Sequence, residues 1–168
     1  MNQIEQPLNH RFGGKNAAYL AEVHFSPGEA CRNRIIECLK NSRRTIDICV
    51  YTITDNQIRF EIEVALKRGC QIRIVTDDEK IGDIGSDIRH LATLAIPIKH
   101  DAKKSHMHHK FAVFDQQVLL TGSFNWTRSA SRKNQENLIV SSNPRLVQPF
   151  LEEFERLWKK FPEFKVFE

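Results

Sequence analysis

Long apolar runs are missing from this chain. None of its 168 residues falls in a stretch approaching the ~20 consecutive apolar residues of a membrane-crossing helix. Cysteine is scarce: Cys31, Cys38, Cys49 and Cys70 all lie in the first half, with no CxxC pair. That spacing argues against a structural zinc site and for buried free thiols in a reducing compartment. Only 7 glycines and 6 prolines are present, which excludes a collagen-like or broadly disordered chain. Neither sign of charge dominates. A net +4, from 25 Lys and Arg against 21 Asp and Glu, permits an anionic partner without demanding one. The opening Met1-Asn2-Gln3-Ile4-Glu5-Gln6-Pro7 lacks the basic-then-apolar layout of a secretory signal. These absences lead to the expectation of one soluble domain, cytoplasmic and without a stable membrane anchor. Its 40% hydrophobic content is enough for a sizeable core.

What is present alternates strand-like and helix-like runs. Ala21 to Phe25 reads as a strand and Glu29 to Lys40 as a helix with Ile35, Ile36 and Leu39 on one face. Thr45 to Tyr51 reads as a strand. Asp55 or Asn56 caps a helix to about Arg68, stopped by Gly69. Gln71 to Val75 is a strand with Thr76-Asp77-Asp78 as its polar exit, and Ser86 or Asp87 caps a helix to about Leu94. Ile96-Pro97-Ile98 begins a further short strand. Lys110–Phe114 and Val118–Thr121 flank Gln116-Gln117 as a hairpin. Leu138-Ile139-Val140 is one more strand. Pro144 opens a long helix with Leu146, Phe150, Phe154, Leu157 and Trp158 inward. The expected fold is α/β: one domain with a mixed, largely parallel β-sheet flanked by helices on both faces. Residues 1–20 read as an arm, 21–162 as the domain and 163–168 as a tail.

One segment concentrates chemistry. His108, Lys110, Asp115, Gly122, Ser123 and Asn125 follow the spacing H-x-K-x4-D-x6-G-S-x-N. On a strand, His108 and Lys110 project from one face. The hairpin brings Gly122 to Asn125 back beside them. A nucleophile or base, a fixed cation and two neutral donors then converge at one sheet edge. That set suits an anion whose charge grows in the transition state, such as a phosphodiester. Gly122 permits close backbone approach. Glu136 is placed to orient an imidazole through its second N–H, or to serve as a surface ion-pair partner. His106, His108 and His109 also admit a metal-cluster reading, which leaves Lys110 and Asn125 unexplained. Trp126 reads as core packing or as a stacking platform, and Ser123 as a phosphate ligand or as a shaper of its turn.

This segment resembles the phospholipase D superfamily, whose signature it matches without a gap. Val23 to Pro27, Asp47 to Tyr51, Gly69 to Asp77, His106 to Trp126 and Phe150 to Phe161 extend the likeness over roughly residues 21–162. They resemble the single-motif branch, which includes small bacterial endonucleases and the mitochondrial Zucchini or cardiolipin-hydrolase type. The resemblance implies that His108 attacks phosphorus to form a phosphohistidine. It implies that Lys110 and Asn125, with Ser123 beside them, bind phosphate. It makes Asp115 the motif aspartate, in a structural or orienting role, and Glu136 the carboxylate that holds the imidazole. The mechanism needs two histidines and the chain has one motif, so a homodimer with facing motifs is implied. No metal or other cofactor is required by that chemistry.

Two substrates fit such a site. Lys99, Lys103 and Lys104 precede the motif, and Arg128, Arg132 and Lys133 follow it. They are expected to line a groove that tracks a nucleic-acid backbone. An endonuclease acting on DNA or RNA is therefore the leading expectation. The alternatives are a phospholipid hydrolase of the cardiolipin type and a nucleic-acid-binding module of a larger system. The cysteine-rich insertion of the Zucchini type is not visible, and Phe161 to Phe167 is the aromatic-rich segment available for packing or docking.

Overall fold

The alternation read from the sequence carries through to the folded chain. A computed structural model describes residues 19–102 and 105–166. In chain order the elements are β1 (Ala21–Ser26), α1 (Ala30–Asn41), β2 (Thr45–Val50), α2 (Asn56–Lys67) and β3 (Gln71–Asp77). Two short helices, α3 (Asp78–Ile81) and α4 (Ile88–Thr93), precede β4 (Ile98–Asp101). The hairpin strands β5 (Lys110–Phe114) and β6 (Val118–Gly122) follow, then α5 (Arg128–Arg132), β7 (Glu136–Ser141) and α6 (Pro144–Lys160).

Local chemistry accounts for most boundaries. The Asp55 carboxylate accepts the free amides of Gln57 and Ile58 at 2.9 and 3.3 Å, which caps α2. Gly69 leaves that helix at φ 95°, a left-handed conformation. Asn143 accepts from Arg145 N at 3.0 Å, and Pro144 follows as the first helical residue of α6. Thr127 caps α5 by accepting from Ala130 N at 3.1 Å. That short helix, like α3, was not expected from the sequence.

The strands form one sheet in the order β1-β7-β6-β5-β2-β3-β4. It is mixed, as expected. Its parallel part is confined to β2-β3-β4, while β5, β6, β7 and β1 pair antiparallel. The sheet is therefore less parallel than the strand–helix alternation suggested. The hairpin accounts for the β5–β6 pair, since it returns β6 directly and needs no crossover.

Helices cover both faces. On β2, Ile46, Ile48 and Val50 turn toward α1 and α2, where Ile35, Leu39, Ile58 and Ile62 complete one core. Cys49, Val75, Phe111, Val113 and Leu119 turn the other way, against Val147, Phe154 and Leu157 of α6. Central strands buried on both faces read as continuous apolar runs, and β5, Lys-Phe-Ala-Val-Phe, is buried throughout. The α6 core departs from expectation at one position. Val147 is buried, whereas Leu146 is 47% exposed. The strand expected from Ile96 starts at Ile98. All four cysteines are free and buried. Burial pushes the Cys31 and Cys38 thiols up to about 11, so both are inert hydrophobes.

Candidate active site

The motif residues other than Asp115 collect at one end of the sheet. Val50 pairs with Lys110 across β2 and β5, and the Tyr51 amide donates to the His109 carbonyl at 2.9 Å. His108 precedes β5 and is not part of it. Strand alternation therefore does not set its direction. Instead the Lys110 ammonium donates to the His108 carbonyl at 2.7 Å, which fixes the two residues together through the backbone.

His108 is exposed at the rim and its ring packs on that of Tyr51, with centroids 4.6 Å apart. Lys110 is only 8% exposed, and its ammonium lies 5.0 Å from the Tyr51 ring centre. Burial lowers the proton affinity of His108, and the charges of Lys110 and His106 lower it further, against the opposing pull of Asp77. The imidazole is thereby biased toward its neutral, nucleophilic form. Burial likewise lowers the Lys110 pKa, opposed by Glu136 and Asp77.

The return arm of the hairpin supplies the neutral groups. Gly122 closes β6 where a Cβ would sit 2.2 Å from the Asn137 carbonyl oxygen. Close approach of β7, and not a left-handed backbone, demands glycine there. Ser123 donates from Oγ to Glu136 and accepts from the Asn137 amide at 3.1 Å. Glu136 also accepts from Asn134 Nδ2 at 3.0 Å. Among the described residues no hydrogen bond joins Glu136 to His108, so within one chain Glu136 braces Ser123 and does not orient the imidazole. Asn125 reaches this end of the sheet because the Ile53–Trp126 bridge ties its loop to the exit of β2. Its Oδ1 is buried without a partner among the described residues; an amide oxygen only accepts, so Nδ2 is the atom that could meet an anion. Trp126 is fully buried, a core residue.

Asp115 lies at the opposite end of β5. Its carboxylate accepts from the amides of Arg43 at 2.9 Å, Arg44 at 2.7 Å and Thr45 at 3.0 Å. Burial works against its charge, but those amide donors hold its carboxyl below the ordinary range. It is a structural clamp remote from His108. Arg128 opens α5, is exposed, and acts electrostatically on Asp87. Lys99 donates to the Trp158 carbonyl at 2.6 Å and so faces α6. Lys103 and Lys104 lie outside the described residues.

The three histidines of the loop diverge, which removes their reading as one metal cluster. His106 turns to Asp77 at 3.1 Å, His109 to Glu153 at 3.4 Å, and His108 to Tyr51. Among the described residues, ligand-type atoms converge at Asp77, Glu79 and His106 and at Asp77, Asp78 and Asp101. In both groups Asp77 is engaged by hydrogen bonds, and no metal role is assigned to them.

A groove of about 450 Å³ runs beside His108, lined by His106, His109, Arg156, Lys160 and Phe161 among others. Sequence reasoning missed the α6 wall of this groove, along with Tyr51 and Asp77. Arg156 and Lys160 carried a faint signal as basic residues on the polar face of an amphipathic helix. Asp77 read as a solvated strand exit, yet it is wholly buried.

A family model described as "Cardiolipin synthase, PLD-like domain" matches residues 35–158. The mitochondrial cardiolipin hydrolase of Chlamydomonas reinhardtii is 40% identical over 153 residues, covering 91% of this chain and 67% of that protein. The human mitochondrial cardiolipin hydrolase is 37% identical over 134 residues, covering 80% of this chain and 53% of that protein. The chain thus spans about half the length of the human relative. Nuc, a phospholipase D family member from Salmonella typhimurium, superposes with a TM-score of 0.82 at 28% identity, covering 88% of this chain and 99% of that one. The relatives' names place them in mitochondria, which overturns the expected cytoplasmic location. That expectation rested on composition, which carries no address, and on the lack of a secretory layout in the first residues, which does not point to the cytoplasm. No helix among the described residues is long and apolar enough to cross a membrane.

Proposed function

The chain belongs to the phospholipase D-like family, and from that premise we propose that it is an endonuclease that cleaves DNA or RNA through a phosphohistidine. The observation that carries the reading is a single constellation. A neutral-biased His108 sits at the rim of a groove, with the Lys110 ammonium beside it and Asn125 held at the same end of the sheet. His108 attacks phosphorus and displaces one ester oxygen, which takes a proton from a second imidazole. Water then hydrolyses the P–N bond and restores His108. Lys110 and Asn125 hold the non-bridging oxygens as charge grows on them, and Ser123, braced by Glu136, stands beside them.

The second imidazole comes from a second copy of the chain. Two features support this. The chain carries one H-x-K motif, and an apolar patch adjoins the site. Val23 and Ile139 form a cross-strand pair at 39% and 42% exposure, and Phe25, on the same face and paired with Asn137, is 63% exposed. A dimer across this patch brings two His108 rings to one phosphate.

A polymeric anion is favoured over a lipid because Lys160 and Arg156, the latter shared with Glu153, line the groove. Arg128, Lys103 and Lys104 extend the cationic track in this reading, with Arg132 and Lys133 beyond them. The second reading, a cardiolipin-type hydrolase in a mitochondrial membrane, is favoured by the names of the relatives. The test offers single- and double-stranded DNA, RNA and cardiolipin vesicles side by side in EDTA, with His108→Ala as control. Nucleic acid cut in EDTA by the wild type, and bound but uncut by the variant, is the expected result. Cleavage of cardiolipin alone transfers the site to the lipid reading. Strict dependence on added Mg²⁺ overturns the phosphohistidine mechanism.

A further inference from the structure

We propose that Asp77 is the positioning residue for His108, acting through His106 and through the backbone of the loop that carries both histidines. The inference rests on the reading of His108 as the nucleophile.

Asp77 ends β3 with no solvent exposure. A carboxylate so placed persists only when its oxygens are bonded. Oδ2 accepts from the Met107 amide at 3.0 Å and from His106 Nδ1 at 3.1 Å, and Oδ1 accepts from the Glu79 amide at 3.2 Å. Met107 and His106 are the residues immediately before His108. Its neighbour Thr76, also fully buried, donates to the Val50 carbonyl at 2.9 Å and contacts the Tyr51 carbonyl at 3.2 Å. Consecutive residues of β3 therefore fix both walls of the niche around His108. Thr76 fixes the end of β2 that bears Tyr51, and Asp77 fixes the histidine loop.

The rings between those walls form a rank. Tyr51 meets His106 edge-on at 5.6 Å and His108 tilted at 4.6 Å. Because a carboxylate only accepts, His106 must carry its proton on Nδ1, which leaves Nε2 toward the groove. Asp77 thus sets the tautomer of His106, the placement of the ring that backs Tyr51, and the path of the main chain into His108.

The charged groups around His108 come from several elements. Lys110 belongs to β5, and His106 and His109 to its own loop. Asp77 comes from β3, and Lys80 of α3 lies across Tyr51. Glu79 stands 3.9 Å from His106, Glu153 lies against His109, and Glu136 acts on Lys110. Asp101, Arg156 and Lys160 line the same groove. Of the groups that act directly on His108, Asp77 favours its protonation, and Lys110, His106 and His109 oppose it. Where His106 is protonated, removing Asp77 and removing His106 therefore displace His108 in opposite directions, which loss of packing alone does not produce.

The experiment follows the His108 ring by NMR titration in the wild type, Asp77→Asn and His106→Gln. Turnover of bis(p-nitrophenyl) phosphate is measured in parallel, with His108→Ala as control. In Asp77→Asn, kcat falls roughly ten- to a hundredfold, as expected for a displaced reacting group, while KM stays within about twofold. His108 then titrates at lower pH. In His106→Gln the loss is smaller and His108 titrates at higher pH. If Asp77→Asn does not fold, His106→Gln carries the test alone, since that side chain is 44% exposed. A wild-type kcat in Asp77→Asn, or displacements that are absent or of the same sign, overturn the proposal. Wild-type cleavage by His108→Ala overturns the nucleophile reading instead, and leaves the titration results standing.

Discussion

The residue that departs furthest from its place in the motif is Asp115. Five positions after Lys110 in sequence, it sits at the other end of β5 and bonds three consecutive amides at the entrance to β2. Its backbone is left-handed, with φ 52°, which Asp tolerates better than most residues. The spacing within the motif is thus mechanical here: a five-residue strand separates the clamp from the chemistry. Asp115→Asn keeps the shape and loses charge-assisted acceptance from those amides. A loss of about 1–3 kcal/mol in unfolding free energy is expected at pH 7. The sign with pH follows from its depressed carboxyl. The unfolded chain binds the proton more readily than the folded one, so the stabilisation is complete above the ordinary carboxylate range. It is lost as pH falls through the folded value. Denaturation midpoints of the two proteins therefore differ at pH 7 and converge under strong acid, while cleavage per folded molecule stays near the wild-type level.

Among the elements, the β6–β7 contact is the tightest constraint. Gly122 lies so close to the Asn137 carbonyl that any Cβ forces the two strands apart. Gly122→Ala is expected to cost about 1–3 kcal/mol of stability by overpacking, and to disturb Ser123 and Glu136 on the same pair of strands. Thermal unfolding of the variant at a wild-type midpoint contradicts this. Much of the element plan was legible, because it rests on local signals. Asp55, Gly69 and Pro144 announce their helix ends, and short apolar runs announce β2, β3 and β5. The sheet's sense was less legible. Parallel pairing is confined to β2-β3-β4, where α2, α3 and α4 join the strands; the Asp115–Gln117 turn makes β5 and β6 antiparallel, and four of the six strand pairs are antiparallel. The short helices α3 and α5 carry too few residues for a period to show. The placement of His108, Lys110, Ser123 and Asn125 around the hairpin was legible, because their spacing is fixed. The site was illegible where tertiary contact decides. Glu136 turns to Ser123 and Asn134, Asp77 is buried instead of solvated, and the α6 wall of the groove comes from residues about fifty positions away from His108.

At the scale of the whole molecule, the open rim around His108 and the apolar patch of Val23, Phe25 and Ile139 pose one question: how many chains make one active centre. Among the described residues, a single chain offers one imidazole biased toward its neutral form, and no second one is paired with it across the groove. His106 is committed to Asp77 and His109 to Glu153. If two copies share each centre, a dimer with one His108→Ala subunit has either its nucleophile or its acid, never both. Random exchange of equal amounts of wild type and variant then leaves about a quarter of the dimers intact, the square of the wild-type fraction. Activity after exchange is therefore expected near a quarter of that of the same total protein as wild type. Independent centres give a half. Excess variant sharpens the contrast, because the shared centre loses activity quadratically and independent centres lose it linearly. Mixtures assayed before and after subunit exchange distinguish the two, with sedimentation confirming the dimer at each ratio. A linear fall after full exchange means that a single chain completes the reaction, and then the proton donor must be sought within its own groove.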